Sequence, residues 1–405
     1  MPAYGQTFKR ASLPELAVES ETLLPAVDFC APRCIVYSNF HDLDPETGSR
    51  MMNRVYIKAN YRLDAVELGR LPIGTDLIVV GWEDFVPTFM NRFLGDQVLQ
   101  SWSDDAVQKA LGRSRPRFDV EGPAVLVARY GFRTWGHWLG ELLPKIVCVE
   151  TLFPRKYRYV LPAAIFTDPV LRTEFESLEY YGINSERVIQ VQHQSIYRFS
   201  ELYAVSPLWT RATHHPKMHP GAIDMMRARV PADVGTGWRR VAFLRSDMAT
   251  RNVANAPDVI RELKQRGFEM LEPGALPFAS QVETFASAEA VVSVLGSGIF
   301  GVLYSPSGVR LMILGSTRWV AATMSYSLIQ NRNARLVDIR GHQVSADSRP
   351  PALANFVVDP VEVGRGLDAL YAATVDEVNE SGSPAGQRLA ADHGSSVRAD
   401  PAIGC

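Results

Sequence analysis

Two arginines, Arg245 and Arg251, precede the loop Gly296-Ser297-Gly298-Ile299-Phe300-Gly301, and this is the part of the chain best suited to hold phosphate. Guanidinium groups pair bidentately with phosphate oxygens. Gly296 and Gly298 permit positive φ and close backbone approach, Ser297 adds a hydroxyl, and the N–H groups opening the next helix point outward. Gln281, in the first turn of the preceding helical segment, is in reach of the loop or its ligand. A second set is His137, Glu141 and Lys145, spaced i, i+4, i+8, which makes one polar stripe on an otherwise apolar helix. Polar groups so placed need partners or a cleft. Pro144 cannot donate to the Gly140 carbonyl, so the helix is expected to kink beside them. A carboxylate in a half-dry cleft has its pKa raised, which suits a general base, so Glu141 or His137 could take a proton from a hydroxyl. The plainer reading pairs His137 with Glu141 to hold the helix.

The glycine loop fits the letters of the dinucleotide pattern G-x-G-x-x-G, but its context does not. Pro306 and Gly308 stop the following helix early, no Asp or Glu occurs between Gly301 and Asp338 to meet a ribose, and the loop follows the third strand of its half. An NAD(P)-dependent oxidoreductase using this loop is therefore the alternative reading, with a catalytically silent nucleotide-binding protein as a further one. No metal set stands out. His214, His215 and His219 are interrupted by Pro216 with no acid nearby, which reads as a hinge, and Asp42-Leu43-Asp44 sits in a turn far from the phosphate elements.

These residues must be positioned by alternating elements. Strand-like runs are CIVYSNF, NRVYIKANYRL, TDLIVVGW and PAVLVARYGF; a helix follows at residues 134–153, then strand, helix, strand to residue 191. After a proline-rich break at 206–221, RRVAFLR, FEMLEP, AEAVVSVL, GVRLMILG and ARLVDIRG read as strands. Residues 256–267, 277–288 and 361–375 read as helices. Asn255 reads as a cap for the helix opening at Ala256-Pro257. Strands alternating with such helices predict a parallel sheet covered on both faces. The domain reading is an N-terminal arm over 1–25, an α/β domain over 26–215, a Rossmann-like α/β domain over 216–375, and a disordered tail over 376–405.

Length and composition agree with a two-domain enzyme: 405 residues, 46% hydrophobic and 21% charged. A net charge of −2 provides no field to gather nucleic acid. Four cysteines without framework spacing, no signal-like leader and no membrane-spanning run predict a cytoplasmic protein, at most peripheral to a membrane.

The order of these motifs resembles glycosyltransferase family 61. Arg245, Arg251 and Asn255 resemble the family's "R…R…N" signature, Gln281, Phe285 and Ala288 its "Q…F…A" helix, and Gly296–Gly298 its glycine loop. His137, Trp138, Leu139, Glu141, Leu143 and Pro144 resemble its "HWL…E…LP" helix. The resemblance spans roughly residues 120–320, with one departure: Leu295 stands where the family has a loop histidine. It implies an α/β, GT-B-like fold of two facing Rossmann-like domains with a cleft between them. It also implies inverting transfer of a hexosyl or pentosyl group from a nucleotide sugar, taken as a UDP-sugar, to a glycan or glycolipid hydroxyl in capsule or other surface polysaccharide synthesis. On that reading Arg245, Arg251, Gln281, Gly296, Ser297 and Gly298 hold the donor, His137 and Glu141 serve the acceptor, and no tightly bound cofactor or metal is needed.

Overall fold

Alternation of apolar side chains along the strands of the second half fixes a sheet buried on both faces. Val291, Leu311, Ile313 and Leu336 point into one core, while Ala290, Val292, Val294, Met312, Leu314, Val337 and Ile339 point into the other. Each such valine, leucine, isoleucine or methionine side chain taken from water contributes about 1.5–3 kcal/mol. The computed structural model describes residues 9–30, 35–38, 60–80, 85–90, 92–94, 109, 113–129, 131–208, 218–234, 237–244, 250–317, 331–344 and 353–372. Helices Ala256–Gln265 and Pro360–Tyr371 cover one face of this sheet through Val259, Leu263, Val363 and Leu367. Helix Phe278–Ala286 and the 3-10 helix Ser297–Tyr304 cover the other through Val282, Phe285, Ile299 and Leu303.

Five parallel strands run in the spatial order Glu269–Met270, Arg239–Phe243, Ala288–Val294, Arg310–Ser316, Arg335–Gln343. Numbered along the chain this is 2-1-3-4-5, a doubly wound order whose direction reverses between the first and third strands. Ligands of such sheets sit outside the carboxyl ends of the strands at that reversal.

The first half is a mixed sheet. Strands Val188–Val191, Arg158–Pro162, Arg117–Leu126 and Ser195–Val205 pair in parallel, and antiparallel strands extend it beyond Ser195–Val205. Leu126, Trp138 and Ile146 of this half share one apolar cluster with Val282, Val291 and Leu311 of the other. The halves are also tied by polar contacts. Arg172 Nη2 donates to the Gly274 carbonyl at 3.3 Å, and the Phe278 N–H donates to Glu176 Oε2 at 2.8 Å. Mixed α/β architecture with parallel sheets is thus observed.

Two segments depart from the expected organisation. Residues 9–24, read as part of a loose arm, form strand Lys9–Ala11, a short helix and strand Glu19–Leu24, because Leu13, Leu16, Leu23 and Leu24 supply the apolar side that joins the core. Strand Ile35–Ser38, which precedes the boundary placed at 216, pairs in parallel with Arg335–Gln343 in the second sheet. Residues 42–44, His214, His215 and the tail 376–405 lie outside the described residues. Among the described helices, none is long and apolar enough to cross a membrane.

Candidate functional site

A cavity of 670 Å3 opens where the sheet order reverses. Phe243 and Leu244 reach it from the end of the first parallel strand, and Ser293, Val294, Gly296, Ser297 and Gly298 from the end of the third. Arg251 and Gln281 complete this wall, while Arg133, Trp135, Thr173 and Glu174 approach from the first half of the chain. Five of the six residues assigned to donor binding therefore line one cavity. The sixth, Arg245, lies outside the described residues.

The glycines serve different purposes from the one their sequence suggests. Gly296 has φ 161°, extended backbone open to any residue, and Gly298 is not among the glycines of positive φ. A methyl group placed on Gly298 would meet nothing within 4 Å, so its face is open. A methyl group on Gly301 would lie 2.0 Å from the Phe285 ring; that glycine exists for helix packing. The loop therefore offers bare backbone at its start and close packing at its end. The Leu295 side chain, in place of a histidine, is buried in the core.

Arg251 adopts φ 60°, an uncommon backbone state for a side-chain-bearing residue, and its Nη1 lies 3.5 Å from the Leu295 carbonyl oxygen. Its guanidinium is thereby held beside the glycine loop. Gln281 is buried, with Nε2 donating to the Leu276 carbonyl at 3.1 Å. Asn255 does not cap its helix through its side chain. Its Nδ2 donates to the Val358 carbonyl at 2.7 Å and its Oδ1 accepts from the Val358 N–H at 3.0 Å, a pairing that tethers the loop to the chain's far end. His219 Nδ1 accepts from the Gly221 N–H and caps the helix Pro220–Arg227, while its Nε2 lies 2.9 Å from the Pro25 carbonyl. His219 thus fixes the start of this helix and its contact with the chain near Pro25.

The helix bearing His137 and Glu141 changes register where the proline requires it. Trp138–Leu142 forms a π-helical turn, in which the Leu143 N–H donates to the Trp138 carbonyl, and Pro144 falls in the first turn of helix Leu143–Leu152. His137 Nδ1 lies 2.5 Å from Glu141 Oε1, and Arg129 pairs with Glu141 Oε2. Lys145 Nζ donates to the Val205 carbonyl at 3.1 Å. Burial pushes the Glu141 carboxyl up, but the hydrogen bond from His137 and the charges of Arg129 and Lys145 outweigh it and hold the carboxyl below its ordinary value. The raised pKa expected for Glu141 is therefore reversed: it is a paired anion that accepts Nδ1–H and fixes the imidazole. Neither His137 nor Glu141 lines the cavity, although the helix touches its wall. A methyl group on Gly136 would come within 3.3 Å of Ser297 Oγ.

Sequence reasoning missed Glu174. It belongs to helix Arg172–Tyr180, is 4% exposed, lines the cavity, and burial pushes its carboxyl up to about 7. In sequence it is one of several acids on an amphipathic helix, and only the fold turns it inward.

Residues 135–312 match the family model described as glycosyltransferase 61. This part of the chain is a glycosyltransferase 61 domain. The match begins at Trp135 and runs through Arg251, Gln281 and the glycine loop, so the cavity-lining residues other than Arg133 lie within it. Among solved structures, this chain overlaps an E. coli heptosyltransferase, WaaC with ADP, at 10% identity over 54% of this chain and 93% of that one, TM-score 0.28. It also overlaps the iron-containing dodecameric glycosyltransferase TibC of enterotoxigenic E. coli at 11% identity over 78% of this chain and 92% of that one, TM-score 0.30. No curated protein matches it.

Proposed function

We propose that the chain transfers a sugar from a nucleotide-sugar donor to a hydroxyl acceptor with inversion, in a GT-B-like arrangement, in the synthesis of capsule or another surface glycan. The reading is carried by one observation. Arg251, Gln281 and the open backbone at Gly296–Gly298 line the same cavity at the reversal point of a doubly wound sheet, within the glycosyltransferase 61 domain. Arg251, with Arg245, neutralises the diphosphate as the glycosidic bond breaks, and the 296–298 amides receive its oxygens. His137, beside the cavity rather than in its lining, serves an acceptor that approaches from that side. With Nδ1–H given to the Glu141 anion, Nε2 keeps its lone pair for the hydroxyl proton, and Glu141 acts as the orienting group. The nicotinamide alternative loses ground because the loop follows the third parallel strand and opens an eight-residue 3-10 helix.

Arg251→Ala should lower kcat by about 10²–10³ if it stabilises leaving-group charge. A screen of UDP-, GDP-, ADP- and CMP-sugars for hydrolysis and transfer, with and without EDTA, tests the reading. Undiminished turnover in Arg251→Ala would overturn the arginine's role, and product from none of the donors would overturn the function.

A further inference from the structure

We propose that Glu174 forms the donor-sugar subsite of this cavity, its carboxylate accepting hydrogen bonds from ring hydroxyls of the sugar whose diphosphate lies against Arg251 and the 296–298 loop. This inference rests on the reading above and deepens it. Glu174 reaches the cavity from the first half of the chain, whereas the phosphate-holding groups reach it from the second, so the two ends of one ligand would be gripped by different walls. Its helical turn is anchored from behind. Trp138 Nε1 donates to Ser177 Oγ at 2.8 Å, and Ser177 Oγ donates to the Glu174 carbonyl at 2.6 Å. Glu174 is 4% exposed as a residue, and its carboxyl has its own main-chain N–H as its hydrogen-bond partner among the described residues. A buried carboxyl lining an open cavity with so few partners is an acceptor waiting for ligand donors.

The neighbours leave that capacity free. Arg133 is engaged with Asp168 at 2.6 Å, and on the same helix Arg172 and Glu176 are engaged with the Gly274 carbonyl and the Phe278 N–H. Across the cavity stand Arg251 and the exposed Glu272. Trp135 and Thr173 border the carboxyl's side of the cavity, an aromatic surface and a hydroxyl of the kind that suits a sugar ring. Glu141, the other buried acid of this region, is excluded from such a role because both of its oxygens are already paired.

The test compares each nucleotide sugar with its sugar-free diphosphate: UDP-glucose with UDP, GDP-mannose with GDP, ADP-glucose with ADP. Calorimetric titration of wild type and Glu174→Gln should show the variant losing about 10–100-fold in affinity for the sugar-bearing ligand while holding the bare diphosphate as wild type does. In wild type, affinity for the sugar-bearing ligand should rise between pH 6 and 8, where the carboxyl ionises, and in Glu174→Gln it should not. Equal losses for both ligands, or none for either, would overturn the subsite while leaving diphosphate binding intact as a reading. Arg251→Ala, losing both ligands together, marks the other end of the site. Absence of binding of any pair to wild type would overturn the proposed function and the subsite with it.

Discussion

At the scale of residues, the ionisable groups around the site divide by what burial does to them. Glu141 is held below its ordinary value, so its folded form binds protons less readily than its unfolded form. Its stabilisation is present above the unfolded value and is lost as pH falls through the folded one. Glu141→Gln leaves Arg129 without its anion and should cost about 3 kcal/mol at pH 7, an effect that shrinks as wild type is acidified; urea unfolding at pH 7 and pH 4 checks this. Glu174 has the opposite sign. Moved from 4.5 to about 7, it favours the fold below 4.5, and that contribution is lost as pH rises through about 7. Glu174→Gln should therefore raise Tm relative to wild type at pH 8 and leave it nearly unchanged at pH 4, the alkaline gain being at most about 3 kcal/mol. The contrast explains what the sequence could disclose. His137 and Glu141 announce themselves by their i, i+4 spacing, but Arg129 comes from a loop beyond strand Arg117–Leu126, and nothing local predicts that it reverses the carboxyl's expected shift. Glu174 had no local signal at all, because the cavity it lines is assembled from residues as far apart in the chain as Arg133 and Gly298.

At the scale of elements, the loop and the flanking helices can be separated experimentally. Gly301→Ala drives a methyl group into the Phe285 ring and should destabilise the protein by about 1–3 kcal/mol or more. Gly298→Ala meets open space and should leave stability within about 0.5 kcal/mol of wild type while weakening ligand binding. Thermal shift with and without nucleotide distinguishes the two. The second-half elements were legible because each strand is a short apolar run and each helix is punctuated. The sequence places Phe278–Ala286 within 277–288 and Ala288–Val294 within 288–295. Strand Ser195–Val205 escaped notice because it carries Arg198, Glu201 and three aromatics in a half-buried pattern, yet it is the central strand joining the parallel and antiparallel parts of the first sheet. Pro144 correctly marked a disturbance, and the form it takes is a widened π turn that turns Glu141 into the interior.

At the scale of the whole molecule, the two halves of the chain share an interior. Leu126 and Trp138 lie in the same cluster as Val291 and Leu311, and Tyr181 Oη and Tyr304 Oη lie 3.0 Å apart across the halves. Chemical denaturation followed by tryptophan fluorescence and by far-UV circular dichroism should therefore give coincident, single transitions, and separated midpoints would show independent halves. The same continuity means that residues 216–405 expressed alone should fail to give a cooperative transition.

The parallel pairing of Ile35–Ser38 with Arg335–Gln343 has a consequence for biosynthesis. The earlier strand leaves the ribosome about 300 residues ahead of its neighbour, at an elongation speed of about 5–20 residues per second. For tens of seconds an extended, β-branched segment waits with its ladder groups unmet, a nascent-chain vulnerability that any expression strategy for this protein inherits.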